Sequence, residues 1–372
     1  MILLVLFVAV ICLAYANGAN DNFKGVATLF GSGVADYRRA LFWGTAATFA
    51  GSAAAIALAE RLLANFSGKG LVAAELTADP RYLAAVACGA ALTVLGATFI
   101  GMPVSTTHAL VGALAGTGWA AGSIVNLDKL WMVFVLPLLA SPALALAITA
   151  VLYALLHALR VRSGIAEETC FCVGRETLEA APRLDSALVL ARAEQLTISV
   201  GTTVTCRMRY AGRFLGFEVS DLVDRLHYLS AGAVSFARGV NDTPKIAALL
   251  LVAPAFGKGV ATGIVAILML IGGLASARKV AETMSRKITL LNHGQGFIAN
   301  LVTSAVVLAA GHSGLAVSTT QVACGALFGI GAVSHQAQWK TIGTILIAWA
   351  TTVPCAAALG ATAYKLSVHL SA

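Results

Sequence analysis

Apolar residues in this chain fall into two sets of runs separated by one polar stretch. The first set covers residues near 1–16, 22–34, 40–60, 83–101, 105–122 and 131–157; the second covers 226–238, 244–256, 259–277, 296–311, 316–333 and 341–366. A helix that crosses the hydrocarbon core needs about 20 largely apolar residues. Four runs in each set reach or approach that length, and two in each are short and interrupted by Gly, Pro, Asn and Ser. The pattern predicts an all-α polytopic membrane protein of roughly 10–12 transmembrane segments, some of them broken or re-entrant. Residues 160–225 are polar, and parts of them, at 196–200 and 203–208, alternate as strands do. The expected organisation is a first membrane repeat over 1–159, a soluble cytoplasmic insert over 160–225 and a second membrane repeat over 226–372.

The two sets repeat one another. Gly18-Ala19-Asn20-Asp21-Asn22-Phe23-Lys24 returns as Gly239-Val240-Asn241-Asp242-Thr243-Pro244-Lys245, at an offset of 221. Val104-Ser105-Thr106-Thr107 returns as Val317-Ser318-Thr319-Thr320, at an offset of 213, and Gly112 and Gly116 then match Gly325 and Gly329. Basic residues set the orientation, because Lys and Arg collect on cytoplasmic flanks. Arg38 and Arg39 precede the run 40–60, whereas Arg278 and Lys279 follow the equivalent run 259–277. The equivalent helices then run in opposite directions, which is the inverted-topology plan of secondary transporters. Arg160 and Arg162 put the insert on the cytoplasmic side. Arg61, Lys69 and Arg81 then face outward, with Glu60, Glu75 and Asp79 beside them.

Composition narrows the class. Charged residues are 11% of the 372 and hydrophobic ones 59%, against roughly 25% charged in a soluble globular chain. That excludes an ordinary cytosolic enzyme, a disordered chain and a secreted disulfide scaffold. The net charge of +8 is scattered at segment ends, so it reads as topology and not as a nucleic-acid surface. The first 16 residues hold no basic start, and the segment reads as a retained helix and not a signal peptide. Trp43, Trp131 and Trp339 near segment ends suit an aromatic belt. Cys12, Cys88, Cys324 and Cys355 lie in apolar runs and read as small hydrophobes. Cys170, Cys172 and Cys206 lie in the insert; their single C-x-C is a weak metal signature, and the insert reads as without chemistry of its own.

The candidate chemistry sits in the repeated motifs. Charge within a membrane span is expensive and usually functional. Asp21 and Asp242 lie in apolar stretches with Lys24 and Lys245 three residues on, which a helix places on the same face. Ser105-Thr106-Thr107 and Ser318-Thr319-Thr320 each open a Gly- and Ala-rich segment, as N-caps do. Free N–H groups, a positive dipole end and three hydroxyls make a neutral, donor-rich cradle for an oxyanion. Residues 17–21 and 238–242 read as unwound breaks whose carbonyls, with Asn20, Asp21, Asn241 and Asp242, suit a hard cation. His108 follows the first motif and Gln321 the second; on the transport path His108 would carry a proton. No nucleophile triad, nucleotide loop or metal-ligand spacing is present, so no cofactor is expected. A membrane-embedded hydrolase using Ser105 and His108 is the alternative enzyme reading, and a passive anion channel the third.

These paired motifs resemble the inorganic phosphate transporter (PiT) family over both membrane halves. The resemblance implies a plasma-membrane symporter that moves phosphate with sodium or protons, with inverted repeats around a central site and often a homodimer. It implies that Ser105, Thr106, Thr107, Ser318, Thr319, Thr320, Asn20 and Asn241 hold the substrate. Asp21, Asp242, Lys24, Lys245, His108, Gln321, Thr48 and Asn300 then couple the ion. Family members usually carry Asn where Lys24 and Lys245 stand, and a membrane-embedded Glu where Thr48 and Asn300 stand. The two lysines are therefore expected to replace sodium, giving a sodium-independent carrier. The same changes leave sulfate or another tetrahedral oxyanion as the alternative cargo.

Overall fold

The computed structural model describes residues 1–166, 168–179, 192–210, 214–253 and 256–370. Its contacts divide the chain into a unit formed by Met1–Ala154 with His227–Ala372 and a unit formed by Leu155–Leu226.

The chain enters through α1 (Ile2–Asp21), the short α2 (Ala27–Gly31), α3 (Tyr37–Leu58), α4 (Glu60–Phe66) and α5 (Ala74–Thr77). It continues through α6 (Pro80–Phe99), α7 (Thr106–Ala120) and α8 (Leu127–Lys129), which a π-helical stretch joins to α9 (Leu136–Ser163). The insert holds β1 (Thr169–Glu179), β2 (Arg192–Thr202), α10 (Thr203–Arg209) and β3 (Phe214–Glu218). There follow α11 (Val219–Ala247), α12 (Lys258–Ser276), α13 (Arg278–Glu282), α14 (His293–Ser313), α15 (Thr319–Ser334) and α16 (Trp339–His369).

Among the described residues seven helical rods are long and apolar enough to cross a membrane: α1, α3, α6, the continuous rod Leu127–Ser163, α12, α14 and α16. The remaining apolar runs are short or polar. The helices α7, of 15 residues, and α15, of 16, fall short of a full crossing. The 29-residue α11 carries Asp221, Arg238, Asp242 and Lys245 and is not among those seven.

Two local expectations need correction. The residues 17–21 and 238–242 are not unwound: α1 continues to Asp21, and α11 runs through Pro244 to Ala247. Their glycines serve close packing instead. A Cβ on Gly18 would lie 2.0 Å from the Met269 carbonyl oxygen, and one on Gly239 2.2 Å from that of Thr48. Small residues let helix backbones approach in a membrane. The breaks come just after the motifs, in the turns 22–26 before α2 and in the 3-10 turn Ala248–Leu250. The second correction concerns 203–208, which is helical. Thr202 caps α10 by accepting from the Thr205 backbone N–H, and that local bond outweighs the alternating pattern.

Direction and packing follow from specific contacts. Lys258 at the start of α12 bonds Glu60, just past the end of α3, at 2.5 Å, so the packed pair α3 and α12 is antiparallel. Gly112 on α7 lies against Val353 of α16, and its counterpart Gly325 on α15 lies against Pro142 of α9. In the insert the strand order is β2-β1-β3, all antiparallel, with Cys170 opposite Gly201 and Cys172 opposite Ser199. Cys172 and Cys206 are joined by a disulfide.

Candidate functional site

The two Ser-Thr-Thr motifs begin the short helices α7 and α15. Ser105 Oγ accepts from the His108 backbone N–H at 3.1 Å, and Ser318 Oγ accepts from that of Gln321 at 3.2 Å. The extended residues before each cap bring the two helix tips together. Thr107 Oγ1 donates to the Val317 carbonyl at 3.3 Å, and the side-chain amide nitrogen of Gln321 faces His108 Nε2 at 3.3 Å. His108 and Gln321 hold equivalent positions in the two motifs, so the contact joins matching points of the two tips. Trp349 on α16 fixes the approach to α7 by donating to the Pro103 carbonyl at 3.1 Å.

The Asn-Asp motifs of α1 and α11 close on these tips. Asp21 pairs with Lys24, and its other oxygen accepts from Asn17 Nδ2 and Thr106 Oγ1, each at 2.8 Å. Lys24 Nζ lies among oxygens: Asn20 Oδ1 at 2.8 Å, the Val104 carbonyl at 2.8 Å, Thr320 Oγ1 at 2.7 Å, and Asp21 Oδ1. Asn20 Nδ2 donates to Thr98 Oγ1 at 2.9 Å and to the Met102 carbonyl at 3.0 Å. In the second repeat Asp242 accepts from Asn241 Nδ2 at 2.9 Å and faces Lys245 Nζ at 3.5 Å. Lys245 Nζ donates to Thr107 Oγ1 and to the Val317 carbonyl, both at 2.8 Å. Asn241 Nδ2 also reaches Thr319 Oγ1 at 3.2 Å.

Most of the residues singled out from the sequence thus form one buried cluster. Thr48 joins it through a 3.3 Å bond from Arg238. Asn300 does not: it donates to Thr28 Oγ1 at 2.8 Å, beside His227, in a separate polar contact. Sequence reasoning passed over Arg238, taking it as the edge of a break. Arg238 is 0% exposed, donates to Asn17 Oδ1 at 2.7 Å and Asn22 Oδ1 at 3.0 Å, and lies 3.8 Å from Asp242. The signal was present, since Arg238, like Lys24, is a cation inside an apolar run.

The charge count has a chemical consequence. Asp21 and Asp242 face Lys24, Lys245 and Arg238, all buried, so the cluster holds one more cation than anion. Unbalanced charge in a low-dielectric interior is costly. The α7 and α15 tips add the positive ends of two helix dipoles. Two buried acceptors here, Asn241 Oδ1 and Gln321 Oε1, have no hydrogen-bond donor among the described residues. The arrangement suits a small anion that brings one negative charge and its own hydroxyl protons.

Comparison with known proteins agrees with this chemistry. Residues 17–360 match the profile described as the phosphate transporter family. A protein of Thermococcus kodakarensis, a phosphate permease by name, is 28% identical over 95% of each chain. One from Mycobacterium tuberculosis, named as a low-affinity inorganic phosphate transporter, is 25% identical over 99% of this chain and 78% of its own. A solved structure titled as the sodium-dependent phosphate transporter shares the fold, with a TM-score of 0.75, 23% identity and 98% coverage of both chains.

Proposed function

The chain belongs to the phosphate transporter family, and from that premise we propose that it takes up inorganic phosphate by symport coupled to protons and not to sodium. It is an integral multi-pass membrane protein and a transporter, not an enzyme; the plasma membrane is its expected location.

One observation carries the choice of coupling ion. The Lys24 ammonium occupies a nest of four oxygens, from Asn20, Asp21, Val104 and Thr320. Side-chain, carboxylate and carbonyl oxygens of this kind are what a hard cation takes as ligands. A lysine in that nest already supplies the positive charge Asp21 needs, and Lys245 does the same for Asp242. Sodium then has no charge left to balance. Lys24, Lys245 and His108, with the carboxylates of Asp21 and Asp242, are the groups in the cluster that can exchange a proton along the path.

The cargo follows from charge and hydrogen bonding. A monovalent phosphate brings the cluster to neutrality, whereas sulfate overshoots by one negative charge. Sulfate also lacks hydroxyls to donate to Asn241 Oδ1 and Gln321 Oε1. Leaving a buried acceptor unpaired costs about 1–3 kcal/mol. In this reading Thr106, Thr107, Thr319, Thr320 and the tips of α7 and α15 surround the anion, with Asn20 and Asn241 at its edge. The antiparallel α3 and α12 and the facing tips support an inverted repeat whose halves rock to alternate access.

Uptake of labelled phosphate into proteoliposomes, with competing oxyanions, tests the cargo. Arsenate should compete about as well as unlabelled phosphate and sulfate at least about tenfold less well, the equivalent of 1.4 kcal/mol. Equal competition by sulfate would overturn the phosphate assignment.

A further inference from the structure

We propose that Cys170, Cys172 and Cys206 form a zinc site that staples the insert in the reducing cytoplasm. The three sulfurs lie within 4.8 Å of one another, and Cys170 Sγ is 3.2 Å from Cys172 Sγ. They come from two elements. Cys170 and Cys172 are two residues apart on β1 and so share one face of the sheet, and Cys206 projects from α10. A zinc ion bound by thiolates at about 2.3 Å in tetrahedral geometry sets sulfurs roughly 3.8 Å apart.

The packing gives the reason for a staple. Among the described residues the buried cluster of the insert is these three cysteines and Tyr210, with no aliphatic side chain in it. A small unit with so little apolar burial needs a disulfide or a metal to hold it. The Cys172–Cys206 disulfide uses two sulfurs and leaves Cys170 buried, at 1% exposure, and pressed against the bridge. A three-thiolate site uses all of them.

Location decides between the two. Arg160 and Arg162 lie in the last turn of α9 as the chain enters the insert, and such residues mark the cytoplasmic flank. Thiols there stay reduced, and clustered cysteines in that compartment serve metals more than disulfides. Two equivalents of a small cytoplasmic thiol open the Cys172–Cys206 bridge to two thiols and leave as their own disulfide. Zinc then displaces three protons from the three thiols, and a water completes the tetrahedron.

The test uses the full chain in detergent, purified under a phosphine reductant from cells grown with zinc. Elemental analysis should find about one zinc per chain. Cobalt exchange should give thiolate-to-cobalt charge-transfer absorption. Each of Cys170→Ser, Cys172→Ser and Cys206→Ser should lower metal affinity at least about tenfold, while Cys324→Ser should change nothing. If a serine variant does not fold, the cobalt spectrum of the unsubstituted chain decides. Zinc-free protein, a spectrum without thiolate bands, or an intact Cys172–Cys206 disulfide in chains alkylated at cell lysis would each overturn the proposal.

Discussion

Lys24 Nζ donates to Thr320 Oγ1 at 2.7 Å, across 296 positions of the chain. The contact is returned by the repeat counterparts, for Lys245 Nζ donates to Thr107 Oγ1 at 2.8 Å. Each lysine balances the aspartate of its own repeat and holds the helix tip of the other. The charge at the site and the meeting of the two tips are therefore one structural property.

Removing one ammonium should cost stability as well as function. Lys245→Met leaves Asp242 with Arg238 Nε at 3.8 Å as its nearest cation. The cluster then balances, two cations against two anions, so the loss is that of the bonds Lys245 makes to Asp242 and the Val317 carbonyl, about 1–3 kcal/mol. The variant should stay folded in detergent with a lowered melting temperature and should lose transport. A variant that transports like the parent chain would contradict this.

Replacing both lysines with asparagine should change the coupling. In Lys24→Asn/Lys245→Asn the oxygen nests lose their ammonium groups. Sodium should then stimulate phosphate uptake, and it should raise the melting temperature of the double variant but not of the parent chain. A variant indifferent to sodium would show that the lysines do not stand in its place.

The hydroxyl caps should matter through the backbone. Ser105→Ala and Ser318→Ala free the N–H groups of His108 and Gln321, at a cost of about 1 kcal/mol each. If the proposed cradle holds the anion, loosening the two tips should raise KM for phosphate more than it lowers kcat. An unchanged KM in both variants would remove the tips from the substrate site.

Close helix approach reverses a familiar substitution effect. An exposed Gly→Ala change within a helix gains about 1 kcal/mol. At Gly112 the added Cβ would stand 2.3 Å from the Val353 carbonyl oxygen, and at Gly325 it would stand 2.4 Å from that of Pro142. Both alanine variants should lose roughly 1–3 kcal/mol in thermal unfolding.

Much of this was legible in the sequence, for physical reasons. Asp21 with Lys24 and Asp242 with Lys245 stood out because ionisable residues are conspicuous in apolar runs. Ser105 and Ser318 stood out because N-caps have a local signature, and both prove to cap short helices. What was not legible depended on partners distant in sequence. Gly18 and Gly239 suggested helix breaks, but Met269 and Thr48 press on them and the helices run through. Arg238 gained its place only when Asn17 and Asn22 came to meet it. The helix at 203–209 was hidden because its cap at Thr202 is a local bond that alternation does not report. The convergence of three cysteines needed the strand pairing that sets Cys172 beneath α10.

The most direct test of the account is accumulation of labelled phosphate in proteoliposomes free of sodium, driven by a proton gradient alone. The account predicts uphill accumulation that a protonophore abolishes and that added sodium leaves unchanged. Accumulation that appears only when a sodium gradient is imposed would contradict it.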